Sequence, residues 1–513
     1  MRRTLGIDLG TTNSAVATVE DGEVQILNNA EGWPTTPSVV FFPDDSDDDA
    51  HLVGLMAKNS AAMTPANVVQ FIKNKIGRRD ITKSPSGTEY TPETISALIL
   101  KKLKQDAEEA LGESGIVDVV ITVPAYFGDD RRKATLDAGK IAGLNVLRLI
   151  NEPTAAAVAF GMDKGKEGKV LVYDLGGGTF DVTLMEIKNG EFDVIGTNGD
   201  PNLGGRNFDN KLTELIIADL ESQGCVVDVT DDVLFADIRE KAEHAKKALS
   251  QKEQATTKHT VSGKNYTVKL TRESFEEASK QLLERTKLYL SDMMDEAKVT
   301  WESVDHLLVI GGSTRMPMVK NMLEELSGKT IKYEVNPDTA VAMGAALLAN
   351  ATPPEGQEST APSGDVGGIA NFKIYDVTSQ SLGVITVSDE DVNKKINSVI
   401  IPHNTKIPAK KSSTFATMFD NQTRVLVEVT EGNDTEVEYV KVIGSSTLEL
   451  PAYPKGSPIE VIYQYDIDQT IFVEVIDKVA DKSLGTFEID RVSNLSKEQL
   501  ANAISAVSDI TVE

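Results

Sequence analysis

One short pattern occurs twice in this chain: an apolar run, Asp-Leu-Gly, small residues and then a hydroxyl. It reads "LGIDLGTTNS" from residue 5 and "LVYDLGGGTFD" from residue 171. Glycines let a strand turn tightly and aim successive N–H groups at one point, which suits phosphate. Mg²⁺ is often held by one or two carboxylates together with substrate phosphates. Asp8 and Asp174 are therefore predicted to face one Mg-nucleotide from two sides, although each turn taken separately could be an ordinary glycine-rich hairpin.

The residues after each aspartate are the predicted phosphate contacts. The first turn supplies Gly10, Thr11, Thr12 and Asn13, and the second supplies Gly176, Gly177, Gly178 and Thr179. No G-x-x-x-x-G-K-[ST] pattern occurs, so the site is not a common P-loop.

A third glycine turn follows the apolar run in "LLVIGGSTRMP", from residue 307. Gly311 and Gly312 would let a flat base approach the backbone, and Arg315 could stack on it. Together with Ser313, these residues are predicted to belong to the same nucleotide cleft.

The chain divides into segments of different character. Residues 1–350 alternate Val- and Ile-rich runs with helical patterns, which indicates α/β architecture. Residues 351–375 are linker-like in composition. Residues 376–490 consist of short alternating runs, typical of an all-β sandwich or barrel. Residues 491–513 predict a short helix and tail, with Ser496 and Gln499 closing a capping box.

Composition excludes several function classes. The formal net charge of −27 among 513 residues leaves no large basic face for nucleic acid and disfavours anionic membranes. The single cysteine, Cys225, suits a reducing compartment. The longest apolar runs are about half of a membrane span. A cytoplasmic protein is expected.

Longer motifs extend this pattern. "GIDLGTTNS", "VPAYF", "NEPTAAA", "YDLGGGTFDV" and "IGGSTRMP" occur in this order, and "DVTSQSLGV" and "TFATMFDNQT" follow. In these motifs the chain resembles the seventy-kilodalton heat-shock chaperones of the DnaK type. The resemblance implies a two-lobed, actin-like α/β ATPase domain followed by a β-sandwich. It also implies ATP/ADP and Mg²⁺ as cofactors, with K⁺ as a further candidate, and hydrolysis that drives binding and release of hydrophobic polypeptide segments in protein folding and stress response.

The resemblance assigns the catalytic set by motif. It matches Lys73 to the lysine that positions the attacking water and Glu152 to the acid near the metal. Asp8 and Asp174 match the metal-side aspartates, while Thr179 and Asp181 close the γ-phosphate end. Phosphoryl transfer needs positioning and charge neutralisation, which such groups supply.

The same resemblance implies further site residues. Around the nucleotide they are Gly204, Gly205, Glu243, Lys246, Lys247, Ser250 and Asp338. For coupling, Pro124 and Arg132 match a proline switch and its relay arginine, and Arg148, Asn151 and Thr154 match a surface for J-domain co-chaperones. For peptide binding they are Val384, Thr386, Val387, Phe415, Met418 and Val425, which could alternatively be core residues of a β domain. A nucleotide exchange factor is a further candidate partner.

The chain departs from the family pattern in four places. The leucine-rich linker motif is not recognisable, the segments 80–92 and 251–270 are short, and the helical lid is missing from this sequence, as in a truncated member or in a natural lidless relative. Without a lid, bound peptide is expected to exchange fast.

The motifs also suggest three rival functions. An ATP-binding co-chaperone or scaffold with little turnover is the main alternative. A small-molecule kinase conflicts with the second domain, and "NEPTAAA" favours a chaperone over an actin-like filament former.

Overall fold

The structure is a computed structural model that describes residues 3–43, 51–84, 87–164, 166–352, 373–388, 390–391, 393–466, 470–489 and 495–513. The acidic run 44–50 and residues 353–372 of the predicted linker lie outside the described residues.

Strands and helices alternate up to residue 352, as the sequence predicts. The strands are β1 (Leu5–Asp8), β2 (Asn13–Glu20), β3 (Glu23–Leu27), β4 (Thr36–Pro37), β5 (Val39–Phe41), β6 (Leu52–Val53), β7 (Val68–Gln70), β8 (Thr82–Lys83), β9 (Glu89–Tyr90), β10 (Asp118–Val123), β11 (Asn145–Asn151), β12 (Gly168–Leu175), β13 (Phe180–Lys188), β14 (Glu191–Asp200), β15 (Gln254–Val261), β16 (Lys264–Thr271) and β17 (His306–Ile310). The helices are α1 (Leu55–Ser60), α2 (Pro92–Leu111), α3 (Asp129–Ile141), α4 (Glu152–Lys164), α5 (Gly205–Ser222), α6 (Asp232–Leu249), α7 (Arg272–Ala297), α8 (Pro317–Ser327) and α9 (Ala340–Ala351).

Two large sheets share a four-stranded core of the same topology. In the first, β1 pairs antiparallel with β2 and parallel with β10, and the order is β11-β10-β1-β2-β3. In the second, β12 pairs antiparallel with β13 and parallel with β17, and the order is β17-β12-β13-β14 with a further edge strand, β18 (Lys373–Tyr375). The two Asp-Leu-Gly turns are therefore equivalent corners of two equivalent sheets.

Local signals fix the helix ends. Thr91 caps α2 by accepting a hydrogen bond from the Thr94 N–H, Pro92 occupies the first turn, and Gly112 ends the helix with φ +64°. Such caps satisfy the unpaired backbone groups at helix ends. Helix α9 is apolar on most faces because it packs against β1, β2 and α4 at once.

The remaining strands are β18 (Lys373–Tyr375), β19 (Leu382–Val387), β20 (Lys395–Ile401), β21 (Ala409–Ala416), β22 (Gln422–Glu431), β23 (Lys441–Tyr453), β24 (Pro458–Tyr465), β25 (Ile471–Asp477) and β26 (Lys482–Glu488), and the last helix is α10 (Lys497–Ser508). Strands β19 to β26 form two four-stranded sheets, β20-β19-β22-β23 and β21-β24-β25-β26. One apolar cluster between them includes Leu382, Val429, Tyr463 and Val473. The arrangement is that of the predicted sandwich rather than a barrel.

Both ends of the β domain are held against the preceding domain. Strand β18, at the end of the predicted linker, extends the second sheet by pairing in parallel with β14. After α10, whose Ser496–Gln499 capping box is present as predicted, Val512 forms a parallel bridge with His51 beside β6. Val507 and Val512 are buried in the core that includes α2. In the described part of the chain, no helix is long and apolar enough to cross a membrane.

Candidate active site

Four carboxylates and one ammonium group meet between the two large sheets. Asp8 ends β1, Asp174 lies near the end of β12, Asp181 follows in β13, and Glu152 begins α4. The Lys73 Nζ forms an ion pair with Glu152 Oε1, and the Thr122 hydroxyl donates to Asp8 Oδ1 over 3.1 Å. The equivalent sheet corners thus bring the predicted catalytic residues together.

Burial and mutual repulsion raise the pKa values of the carboxyl groups in this cluster. Burial, followed by the neighbouring Glu152 carboxylate, raises the pKa of Asp8 to about 7 and that of Asp181 to about 7. The same causes, with Asp181 and Asp8 adding to them, raise the pKa of Asp174 well above its ordinary value. One lysine faces four carboxylates, so the cluster carries an excess of buried negative charge.

A divalent cation fits this donor set. Asp181 Oδ2 is buried and has no hydrogen-bond partner among the described residues. In the same part of the chain, no group of three His, Cys, Asp or Glu side chains is placed to hold a metal ion. Mg²⁺ usually keeps waters and phosphate oxygens beside one or two carboxylates.

An unusual backbone conformation positions Lys73. Phe71 has φ +59° and ψ +30°, a left-handed conformation that is rare for a bulky residue. Such strain costs roughly 1–3 kcal/mol and persists where surrounding structure enforces it. It turns the chain from β7 into a single 3-10 turn, Ile72–Asn74, which buries Lys73 within the site.

The two glycine turns face each other closely. A Cβ on Gly177 would overlap the hydroxyl of Thr12, and a Cβ on Gly204 would overlap the backbone nitrogen of Gly178. The Gly205 N–H, at the start of α5, donates to Gly176 O over 2.9 Å. Helix α5 therefore begins against the second turn, because its first N–H groups donate to carbonyls of that turn.

Helix α6 contributes a network of ion pairs. Lys246 Nζ lies 2.8 Å from Asp209 Oδ1 and donates to Gly205 O over 3.1 Å. Glu243 lies between Lys58, at 2.9 Å, and Lys247, at 2.6 Å. Burial would raise the pKa of Glu243, but the two ammonium groups outweigh it and lower the pKa to about 2. Since Lys58 belongs to α1, this pair closes the cleft from the opposite side.

The third glycine turn lies against the second. Gly311 has φ +80°, and the Ser313 hydroxyl donates to Gly176 O over 2.9 Å. Arg315 pairs with Asp338 over 2.6 Å. Ser250, at the end of α6, donates its hydroxyl to Lys246 O over 3.1 Å.

These elements surround an open cleft with about 410 Å³ of empty space, which includes solvent at its mouth. Its lining combines both glycine turns with α1, α5 and α6: Thr11, Thr12, Ser38, Val39, Lys58, Gln70, Phe71, Gly177, Gly205, Arg206, Asp209, Glu243 and Lys246. Phe71 and Arg206 were not predicted as site residues, although each lies close in sequence to residues that were.

The predicted coupling residues form a buried relay. Arg132 donates to Phe127 O over 3.0 Å and to Asn151 Oδ1, and Asn151 donates to Asp376 Oδ2 over 2.6 Å. Pro124 begins the same turn, and its carbonyl accepts from the Phe127 N–H over 3.1 Å. The relay thus runs from the first domain to the first residues of the β domain.

Two residues predicted for a partner surface require a correction. Asn151 is 3% exposed because it takes part in this relay. Thr154 is 1% exposed because it lies in the first turn of α4, which packs against strands of both large sheets. Neither forms part of a surface in this structure. Arg148 is half-buried and acts electrostatically on Asp376.

The β domain also makes ionic contacts that sequence analysis missed. Lys441 pairs with Asp130, and His403 Nε2 lies 2.9 Å from Glu296 Oε2. Asn404 accepts from the Thr197 N–H over 2.9 Å. No local pattern signals these pairs, since partners lie far apart in sequence.

The predicted peptide-binding residues separate into two groups. Val384, Phe415 and Val425 belong to or pack against the sandwich core, as the alternative interpretation stated. Met418 is 51% exposed, and it lies beside the exposed Phe419. Thr386 and Val387 are half-buried in β19, where the Thr386 hydroxyl lies 2.6 Å from that of Ser398.

In a comparison with protein-family models, the chain matches the family described as Hsp70 protein over residues 4–512. The matched range includes both glycine turns, the relay and the β sandwich.

Proposed function

Because the chain belongs to the Hsp70 family, a family of ATP-dependent chaperones, we propose that it binds and releases hydrophobic polypeptide segments at the expense of ATP hydrolysis. The observation that carries the proposal is the meeting of Asp8, Asp174, Glu152 and Lys73 where two equivalent glycine turns face each other.

In this mechanism Asp8 and Asp174 would hold Mg²⁺. The bound ion would neutralise phosphate charge and help orient the phosphates in line for attack. The glycine turns donate N–H groups to the phosphates, and Thr179 adds its hydroxyl. These donors need little rearrangement during the reaction, since the backbone already holds them.

Lys73 and Glu152 act on the nucleophile. Their buried ion pair fixes the ammonium group beside the carboxylates, where it can orient a water molecule by donating a hydrogen bond. Asp181, whose pKa is raised by burial to about 7, can accept a proton near neutral pH. Its backbone partner, the Tyr126 N–H at 3.0 Å, keeps one oxygen in place.

The nucleoside would occupy the far part of the cleft. Glu243, Lys246 and Ser250 lie on the α6 face that would meet the ribose, while Gly311, Gly312 and Arg315 would flank the base. Lys247, already paired with Glu243, stacks on a base less well than an arginine would.

Hydrolysis would be coupled to the β domain through Arg132, Asn151 and Asp376. The exposed Met418 is adaptable in shape and suits contact with varied apolar peptides. A J-domain co-chaperone that engages Arg148, an exchange factor, a cytoplasmic location and a role in stress response are further parts of the proposal.

The test is the ATPase rate of wild type, Lys73→Ala and Lys75→Ala, with and without an apolar heptapeptide and a J-domain protein. Lys75 is exposed two residues away and serves as the matched control. Loss of Lys73 is expected to lower kcat by about 100-fold or more, as for other preorganised groups, and Lys75→Ala should stay within about twofold.

Three outcomes separate the possibilities. Peptide-stimulated hydrolysis that depends on Lys73 supports the proposal. Tight Mg-ATP binding without turnover favours the alternative, an ATP-binding co-chaperone or scaffold. Absence of both binding and turnover refutes the nucleotide site.

A further inference from the structure

An aromatic ring and two guanidinium groups meet at the mouth of the cleft. Arg206 Cζ lies 4.8 Å from the centre of the Phe71 ring, and Arg239 Cζ lies 5.9 Å from it. Phe71 belongs to the segment that carries Lys73, whereas Arg206 and Arg239 belong to α5 and α6. The contact therefore joins the two sides of the cleft.

Arg206 differs from the other cations of the lining. Lys58 is paired with Glu243 at 2.9 Å, and Lys246 is paired with Asp209 at 2.8 Å. Within the described ranges, Arg206 has no carboxylate within 4.0 Å and donates no side-chain hydrogen bond. It is a half-buried cation whose charge is not balanced by a neighbour.

The second arginine increases this imbalance. Burial lowers the pKa of Arg206, and the positive charge of Arg239 lowers it further. Asp209 is the acid that favours the charged form of Arg239, but Asp209 is already paired with Lys246. Two like charges held near each other without an anion form a place where an anion is stabilised.

The surroundings indicate which anion. Arg206 is the second residue of α5, its N–H donates to Gly177 O over 2.9 Å, and it lines the cleft with Thr11, Thr12 and Gly177. These are groups suited to phosphate, and guanidinium binds phosphate oxygens in a bidentate manner. Resting on the nucleotide site proposed above, we propose that Arg206 contacts the phosphate chain of the bound nucleotide and makes the site prefer ATP over less charged nucleotides.

Phe71 is the positioning residue in this arrangement. Its left-handed backbone directs Lys73 inward, and its ring lies under the Arg206 guanidinium, which limits the rotamers of a long side chain. When the cleft closes on a nucleotide, the short segment around Phe71 would then position both Arg206 and Lys73.

The experiment measures binding of ATP, ADP and adenosine by calorimetry, in the presence of Mg²⁺, to the full chain. The variants are Arg206→Ala, Arg206→Lys and Phe71→Leu. Arg424→Ala is the control, since that side chain is 71% exposed in the β domain. Arg206→Ala should raise the Kd of ATP by about 10-fold or more, that of ADP by less, and that of adenosine by under twofold. Arg206→Lys and Phe71→Leu should have intermediate effects on ATP.

The outcomes distinguish this inference from the proposed function. Wild-type ATP binding that Arg206→Ala leaves unchanged overturns the inference and leaves the proposed function standing. Equal weakening of ATP and adenosine also overturns it, because it indicates a structural role. A wild-type chain that binds none of the three overturns the proposed function and, with it, this inference.

Discussion

The substitution Val507→Ala should release the C-terminal tail from the first domain. Val507 is 1% exposed and packs, with Val512, in the core that includes α2. The tail then continues as an extended segment: the His51 N–H donates to Thr511 O over 2.9 Å, and the Val53 N–H donates to Glu513 O over 2.7 Å. A substitution at Val507 in α10 can therefore be detected through the hydrogen exchange of the His51 and Val53 amides in the first domain.

The magnitude follows from the atoms removed. Val507→Ala deletes the equivalent of two buried methylene groups, which costs about 1.6 kcal/mol, and leaves a small cavity that adds about 1 kcal/mol. The higher helix propensity of alanine returns roughly 0.5 kcal/mol. Docking of the tail should weaken by about 2 kcal/mol, and the undocked population should rise by roughly 30-fold.

Hydrogen exchange is the assay, because the amides of His51 and Val53 are protected by tail carbonyls. Their exchange should accelerate by roughly 30-fold in Val507→Ala, while amides in the middle of α2 change far less. Ile504→Ala, on the exposed side of the same helix, should alter exchange by less than about threefold. Unchanged exchange at Val53 in Val507→Ala would refute tail docking, and uniform acceleration throughout α2 would show global destabilisation instead.

Three further predictions concern the site and its coupling. Gly204→Ala should weaken ATP binding by about 10-fold or more in a titration, because its Cβ would overlap the backbone of Gly178 and push the start of α5 away from the second glycine turn. Asp181→Asn should abolish hydrolysis, and it should raise the Tm of the nucleotide-free protein in EDTA at pH 8. Burial raises the pKa of Asp181 from 3.8 to about 7. The ionised carboxylate therefore destabilises the fold increasingly as the pH rises between those values, and its full destabilising effect is reached above them. The Tm gain should vanish near pH 4, and a gain of equal size there would contradict the reasoning. Asp376→Ala should remove the acceptor of the 2.6 Å hydrogen bond from Asn151 and abolish peptide stimulation in an ATPase assay without changing the basal rate by more than about threefold; intact stimulation would exclude this relay.

Strand positions with strong apolar character could be predicted from the sequence. "DVVITV" and "KVLVYD" are central strands in the structure, β10 and β12, and both are buried on their two faces. Strands β20 and β23 are harder to predict, and both lie at sheet edges. The edge strand β23 is mostly exposed and contains Pro451, which only an edge tolerates readily. Its pattern therefore lacks the regular alternation on which strand prediction depends.

The proposed catalytic residues could be named from local motifs, whereas Phe71 and Arg206 could not. Nothing in "QFIKNK" indicates that Phe71 adopts φ +59°, since that conformation is imposed by packing around it. Likewise, Lys441 and Asp130 are ordinary surface residue types until the fold brings them together. A sequence pattern reports local preference, and these contacts depend on the final position of distant elements.

The two attachments of the β domain constrain how nucleotide could act on it. Strand β18 attaches the start of the β domain to the second large sheet. The tail after α10 attaches the chain that follows the β domain to the core that includes α2. A domain held at both ends cannot move away by extension of one linker, so a change at the nucleotide must be transmitted by sliding or rotation at the interface, or by release of one attachment. The tail is the easier attachment to release, because its docking depends on a few side chains and backbone hydrogen bonds. Faster peptide exchange in Val507→Ala, with ATP binding unchanged, would identify tail release as the step that frees the β domain; equal exchange rates in the two proteins would assign that role to the interface.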